Sequence, residues 1–181
     1  LLVNLSAGFG SYWMWNEGLK DHQRSRILTF IDPLRDPKGE GYQVIQSEVA
    51  IGSGGVMGKG FLEGSQTNLS FLPEEHTDFI FSVLGEQFGL LGCSFVIFIY
   101  FVLLVRILRV PTMIHNGFGG YLCVGIATIL GFHIFVNIAM TLGMMPVTGL
   151  PLPLLSYGGS FVLTCMTFIG IVFSVQKDEN L

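Results

Sequence analysis

The sequence predicts an all-α, polytopic membrane protein, and three observations carry that prediction. Half of the residues are hydrophobic and only 12% are charged, with a mean hydropathy of +0.61, whereas soluble domains average about 25% charged. The charges are also segregated: between residues 110 and 176 there is no Asp, Glu, Lys or Arg, only His115 and His133. No soluble domain of that size can be surfaced this way. Third, apolar stretches at 79–105, 118–142 and 154–175 each approach or exceed the roughly 20 residues that cross a bilayer as a helix. Backbone groups in hydrocarbon must bond within their own segment, so the spans are helical.

Residues 1–15 are apolar but too short to cross, and read as the end of a truncated transmembrane helix. Tyr12, Trp13 and Trp15 suit an aromatic belt at the water interface or ordinary packing. A start at Leu1-Leu2-Val3, without a basic n-region, is expected of a fragment that begins mid-protein. Residues 16–78 hold six of the nine basic and ten of the thirteen acidic residues and form a large loop outside the hydrocarbon. Within it, helices are expected near 23–31 and 42–50, turns at Asp32-Pro33 and Asp36-Pro37-Lys38-Gly39, then a flexible glycine run. The span at 79–105 is stopped by Arg106 and Arg109, with a loop at 106–117. A Pro- and Gly-rich turn at 143–153 separates the spans at 118–142 and 154–175, and 176–181 is a polar tail.

Arg106, Arg109 and Lys177 place the loop at 106–117 and the C-terminus in the cytoplasm, which puts 16–78 outside. That large loop nevertheless carries most of the Lys and Arg, and the positive-inside rule weakens for loops near 60 residues. Charge alone therefore leaves the orientation in conflict. Cys93, Cys123 and Cys165 lie in apolar runs without C-x-x-C spacing, so neither a disulfide framework nor a zinc site is indicated. A net charge of -4, with no basic stripe, argues against a nucleic-acid partner.

Four segments can carry chemistry. The run Ile51-Gly52-Ser53-Gly54-Gly55-Val56-Met57-Gly58-Lys59-Gly60 fails as a Walker A loop, because Ser53 and Gly60 stand where Gly and Ser/Thr are required. It remains either a backbone that approaches a substrate, with Lys59 as a diphosphate contact, or a linker with a solvated lysine. Leu72-Pro73-Glu74-Glu75-His76-Thr77-Asp78 gathers ionisable groups where the loop enters the membrane. Taken alone, Thr77 or Asp78 also suits a helix cap. Glu86 lies two turns into an apolar helix, where a carboxylate needs a partner or a wet cavity. Asn137, Thr141 and His133 are its candidate partners, Asn137 and Thr141 sharing a face. Ser156-Tyr157-Gly158-Gly159-Ser160 opens the last span, with Ser156 as its cap.

These motifs together resemble a known family. Gly41-Tyr42, Gln46-Ser47, Ala50-Ile51-Gly52-Ser53-Gly54-Gly55, Gly58-Lys59-Gly60, Leu72-Pro73-Glu74, His76-Thr77-Asp78-Phe79 and Gly85-Glu86 are similar to the large loop and following helix of the RodA/FtsW/SpoVE (SEDS) family. Asn137, Gly143, Pro146, Gly149, Pro151, Pro153 and Ser156-Tyr157-Gly158-Gly159-Ser160 are similar to its C-terminal signature. The Ala-Ile-Gly-Ser-Gly-Gly string favours the RodA branch, while Gln87 departs from the Glu often found there. The resemblance implies the C-terminal portion of a ten-helix protein, whose cavity is built from both halves. It also implies a peptidoglycan glycosyltransferase of the bacterial plasma membrane that polymerises lipid II outside the cell, serves elongation and shape, and pairs with a class B penicillin-binding protein.

Carried onto this sequence, the family's essential loop aspartate falls on Asp78. A diphosphate leaves without the protonation that glycoside hydrolysis requires. One carboxylate then suffices, as general base for the acceptor 4-hydroxyl or as ligand to a divalent cation, Mg or Mn. Lys59, Arg24 and Arg26 are candidates to hold the diphosphate or the partner protein. Glu74 and Glu86 are candidates to support Asp78, and His76 and Ser156 complete the expected substrate-binding set. Two other classes fit a polytopic helical chain: a transporter of lipid-linked precursors, whose acid belongs at the bilayer midplane, and a non-enzymatic scaffold of the wall-synthesis complex.

Overall fold

The computed structural model describes residues 20–36, 39–60, 77–113 and 117–178. The expected helix end at 1–15 with its aromatic belt, and Glu74, Glu75 and His76, lie outside these residues. The described elements are α1 (Asp21–Ile31), a 3-10 turn (Pro33–Arg35), α2 (Glu40–Gly54), α3 (Ile80–Met113), α4 (Gly117–Thr141) and α5 (Gly159–Asp178). Among the described residues there is no strand. Three of the described helices are long and apolar enough to cross a membrane, Ile80–Thr112, Gly117–Thr141 and Gly159–Lys177, so the chain is an all-helical, multi-pass membrane protein. Arg106 and Arg109 do not end the second stretch as expected. They continue α3 to Met113, leaving only 114–116 between it and α4, because long basic side chains can reach the interface from within a helix.

At 34 residues, a straight α3 would be about 51 Å long at 1.5 Å per residue, far beyond the ~30 Å hydrocarbon core. It is not straight. Gly89 has φ 64 and ψ -161, and the contacts on either side show that the chain doubles back there. Beyond Gly89, α3 and α4 form an antiparallel pair: Ile107 and Val110 pack with Cys123, Ile126 and Ala127, and Cys93 and Tyr100 cluster with Ile134. Before Gly89 the sense is opposite. The Asp78 backbone lies at Asn137, and Ser82 reaches Thr141 through Ser47, so 78 to 82 runs with 137 to 141. The expected span at 79–105 is therefore two pieces: residues 80–88 are re-entrant, and the crossing segment begins after Gly89.

Such a break leaves backbone groups that must be paired. The glycine run pairs them. Lys59 N and Gly60 N donate to the Glu86 and Gln87 carbonyls, at 3.0 and 3.1 Å, while Leu90 N and Leu91 N donate to Gly55 O and Val56 O, at 2.9 and 3.2 Å. The run expected to be flexible is thus the last turn of α2 followed by an ordered insert. Glycine is required on both sides of this contact. A Cβ on Gly58 (φ 81) would overlap the Gln87 carbonyl, and one on Gly89 would overlap the amide nitrogen of Gly58.

Helix α2 lies along the re-entrant piece. Ser47 Oγ shares a 2.6 Å hydrogen bond with Ser82 Oγ and donates to the Thr141 carbonyl at 2.6 Å, tying α2, α3 and α4 together. Val44, Phe79 and Val147 form a small apolar cluster beneath it. The last span starts at Gly159 rather than 154, so 142–158 is a longer irregular segment than the expected turn.

Candidate functional site

Helix α3 begins at Ile80, which gives Phe79 the cap position. Its carbonyl accepts from Ser82 and Val83, and Thr77 and Asp78 precede it. Two side chains from distant parts of the chain fix this dipeptide. Asn137 Nδ2 donates to Asp78 O at 2.9 Å and to Leu150 O at 2.8 Å. Ser156 Oγ donates to Thr77 O at 2.6 Å and accepts from Leu152 N at 2.7 Å. Ser156 is therefore not the expected cap of the last helix: it lies three residues ahead of Gly159 and closes the 152–156 turn onto Thr77. The segment gains a third tether from Tyr100, whose hydroxyl donates to Pro153 O at 2.6 Å. Irregular backbone at membrane depth is tolerated where its polar groups are taken up by protein, and these side chains take up three of its carbonyls or amides.

The Asp78 carboxylate lies over the backbone of Gly149, where an added Cβ would stand 3.5 Å from Oδ2. Gly149 has φ 69, a region that glycine enters without the Cβ penalty. Asp78 is half-buried, whereas Asn137 is fully buried. Asn137 Oδ1 has no hydrogen-bond partner among the described residues, and one turn away the buried Nδ1 of His133 has none either. His133 stacks on Phe161 with centroids 5.1 Å apart. Asn137 is one turn short of the end of α4, which sets the Asp78 backbone about 6 Å inside that end. That is deeper than the loop boundary expected for it, yet well short of the midplane of a ~30 Å core.

The remaining predicted residues are dispersed. Glu86 is fully buried, and its partner is Lys59: Nζ to Oε1 is 2.8 Å, with Lys59 29% exposed. The three expected partners on the next span are otherwise employed. Asn137 holds two carbonyls, Thr141 Oγ1 donates to Ile138 O at 2.8 Å, and His133 faces Phe161. Glu86 is eight residues along the helix from Asp78, about 12 Å of axial rise, so it does not support Asp78 directly. Lys59 is therefore not a fully solvated lysine: at 29% exposure it neutralises Glu86. Arg26 pairs with Glu40 at 3.1 Å on the surface. Arg24 lines a separate cleft with Ser25, Thr29, Arg35 and Asp36. No group of three His, Cys, Asp or Glu side chains converges among the described residues.

Sequence reasoning missed the roles of Gly149, Tyr100 and Ser47. The available signal was the Pro-rich stretch at 146–153: a segment that cannot be helical but sits between spans needs donors from elsewhere.

The comparisons agree with this architecture. The family model FTSW_RODA_SPOVE, described as cell cycle protein, matches residues 1–181. Peptidoglycan glycosyltransferase MrdB of Escherichia coli (strain K12) is 47% identical over 168 residues, which is 93% of this chain and 45% of that protein. Peptidoglycan glycosyltransferase RodA of Treponema pallidum is 39% identical over 175 residues, 97% of this chain and 40% of that protein. A chain of a peptidoglycan synthase complex, solved to describe the coordination of polymerization and crosslinking, superposes with a TM-score of 0.73 at 38% identity, covering 99% of this chain and 49% of its own. An aspartate-to-alanine mutant of the Thermus thermophilus rod shape determining protein RodA gives 0.58 at 36% identity, covering 70% of this chain and 39% of its own. The chain spans less than half the length of these relatives. A whole-chain family match, with two of the similar proteins bearing the RodA name, places this chain in the FtsW/RodA/SpoVE family.

Proposed function

We propose that this chain is the catalytic-carboxylate portion of a peptidoglycan glycosyltransferase that polymerises lipid II for cell elongation and shape. The observation that carries the reading is the fixing of Thr77-Asp78 by Asn137 and Ser156, which leaves the half-buried Asp78 carboxylate over Gly149. A single carboxylate held by its backbone suits a general base, because position sets proton-transfer efficiency as much as pKa does. In the proposed step the acceptor sugar's 4-oxygen bonds to C1 of the donor sugar. The C1 bond to the diphosphate oxygen breaks, and the 4-hydroxyl proton passes to Asp78. Mg is commonly held by one or two carboxylates together with substrate phosphates, so Asp78 would be a protein ligand to such an ion, Mg or Mn, which would neutralise diphosphate charge.

The substrate, the class B penicillin-binding protein partner, the bacterial plasma membrane and the outside placement of residues 16–78 belong to the same proposal. They rest on the similarity to proteins named glycosyltransferases and to a chain of a synthase complex. Arg24 and Arg35 replace Lys59 as the loop cations that could meet an anionic group, since both line one cleft. The broken helix at Gly89 is a feature that also suits a lipid-precursor transporter.

The test is polymerisation of labelled lipid II by the full-length protein reconstituted with its partner, wild type against Asp78→Asn. Asn keeps size and capping ability but cannot take the proton. Glycan chains should disappear while folding and partner binding persist. Chains at the wild-type rate would remove Asp78 from catalysis, and loss of lipid II translocation with intact polymerisation would favour the transporter.

A further inference from the structure

Remote from Asp78, α3 and α5 part to leave a cleft of about 560 Å3 lined by Ile99, Val102, Arg106, Arg109, Phe173 and Gln176. Its floor is sealed, because Ile107, Val110 and Val172 are buried in the core cluster that joins α3, α4 and α5. Its walls are not: Ile99, Val102 and Phe173 are exposed, so the cleft opens sideways towards hydrocarbon. Arg106 and Arg109, three residues apart, share a face at one end of it. Arg106 is about 26 Å of helix rise beyond Gly89, which brings it to the far side of a ~30 Å core.

Among the described residues no carboxylate answers these arginines. Residues 87–177 contain no Asp or Glu, neither arginine pairs with a described side chain, and Gln176 supplies only a neutral amide. Guanidinium groups bind phosphate through parallel N–H donors, and basic pockets between transmembrane helices take phospholipid headgroups. The combination of two cations at the headgroup level with an apolar cleft leading away from them matches a molecule charged at one end and aliphatic at the other. We infer that the cleft between α3 and α5 binds one anionic phospholipid, its phosphate on Arg106 and Arg109 and an acyl chain against Ile99, Val102 and Phe173. The site is separate from the Asp78 centre, and its occupancy is read without reference to polymerisation.

The experiment uses the full-length protein in nanodiscs of neutral phosphatidylcholine with a minority of phosphatidylglycerol, counting retained lipids by native mass spectrometry. The wild type should retain one phosphatidylglycerol with at least a tenfold preference over phosphatidylcholine. R106Q/R109Q should lose the preference, and V102W, which fills the cleft and keeps both arginines, should lose the retained lipid. Should R106Q/R109Q fold poorly in neutral nanodiscs by circular dichroism, R106K/R109K with V102W decides, the lysine pair weakening retention severalfold. Unchanged preference in the glutamine variant overturns the inference. So does retention in V102W, which would reduce the arginines to unshaped surface charge, or occupancy of the cleft by another part of the polypeptide. Displacement by inorganic phosphate as effective as by phosphatidylglycerol would assign the site to a free anion and overturn it as well.

Discussion

Asn137 is the residue on which the Asp78 centre turns. Its amide nitrogen serves two carbonyls from segments 72 residues apart in the sequence, Asp78 and Leu150. Replacing it with Leu should leave both acceptors buried and unpaired, at about 1 to 3 kcal/mol each. Asn137→Asp should be worse despite its equal size, because a carboxylate has no donor and would face two carbonyls. Thermal unfolding of the full-length protein should therefore rank wild type, then Asn137→Leu, then Asn137→Asp; the reverse order of the variants would show that the Asn is not the donor. At Gly149, Ala would have to adopt φ 69, costing about 1 to 2 kcal/mol, and the turn that lies against the Asp78 carboxylate would shift to relieve it. Polymerisation should fall, seen as a lower kcat, alongside a melting temperature lowered by a few degrees; an unchanged kcat would detach Gly149 from the Asp78 centre.

At the scale of elements, the re-entrant piece at 80–88 depends on the insert at 55–60 and on the Lys59–Glu86 pair. The two partners are not equivalent, since Lys59 is 29% exposed and Glu86 is not exposed at all. Lys59→Met should leave a carboxylate buried without its cation and cost about 3 to 5 kcal/mol. Glu86→Gln should cost less, because Lys59 can turn to water. The double variant should recover most of the Lys59→Met loss. Denaturation midpoints of the four proteins make the cycle, and additive losses would mean that the pair does not couple. The pairing also explains how a carboxylate two turns into an apolar helix is tolerated.

For the whole molecule, orientation is the prediction that matters, because a glycosyltransferase centre at Asp78 requires the α2 side to be outside. The three cysteines of this chain are buried, which keeps their background labelling low. Met57→Cys, at a position 82% exposed, should react with an impermeant maleimide in intact cells. Lys177→Cys, at the exposed end of α5, should react only after permeabilisation. The opposite pattern would put Asp78 on the wrong side for extracellular lipid II.

Composition and hydropathy by themselves determined the all-helical class, a helix at 118–142 to within one residue at each end, a helix within 154–175 though not its start, and the α1 and α2 helices. These are local properties, readable from periodicity and from where charge is absent. Motif resemblance directed attention to Asp78 and Ser156. Only the tertiary structure decided the reversal at Gly89, because a glycine in an apolar run states that the backbone may turn and not which way the next helix goes. It also decided the partner of Glu86 and the roles of Asn137 and Ser156. Each of those includes a contact between residues 27 or more positions apart, and such pairs are chosen by packing and by the need to satisfy polar groups away from water, neither of which a local window of sequence contains.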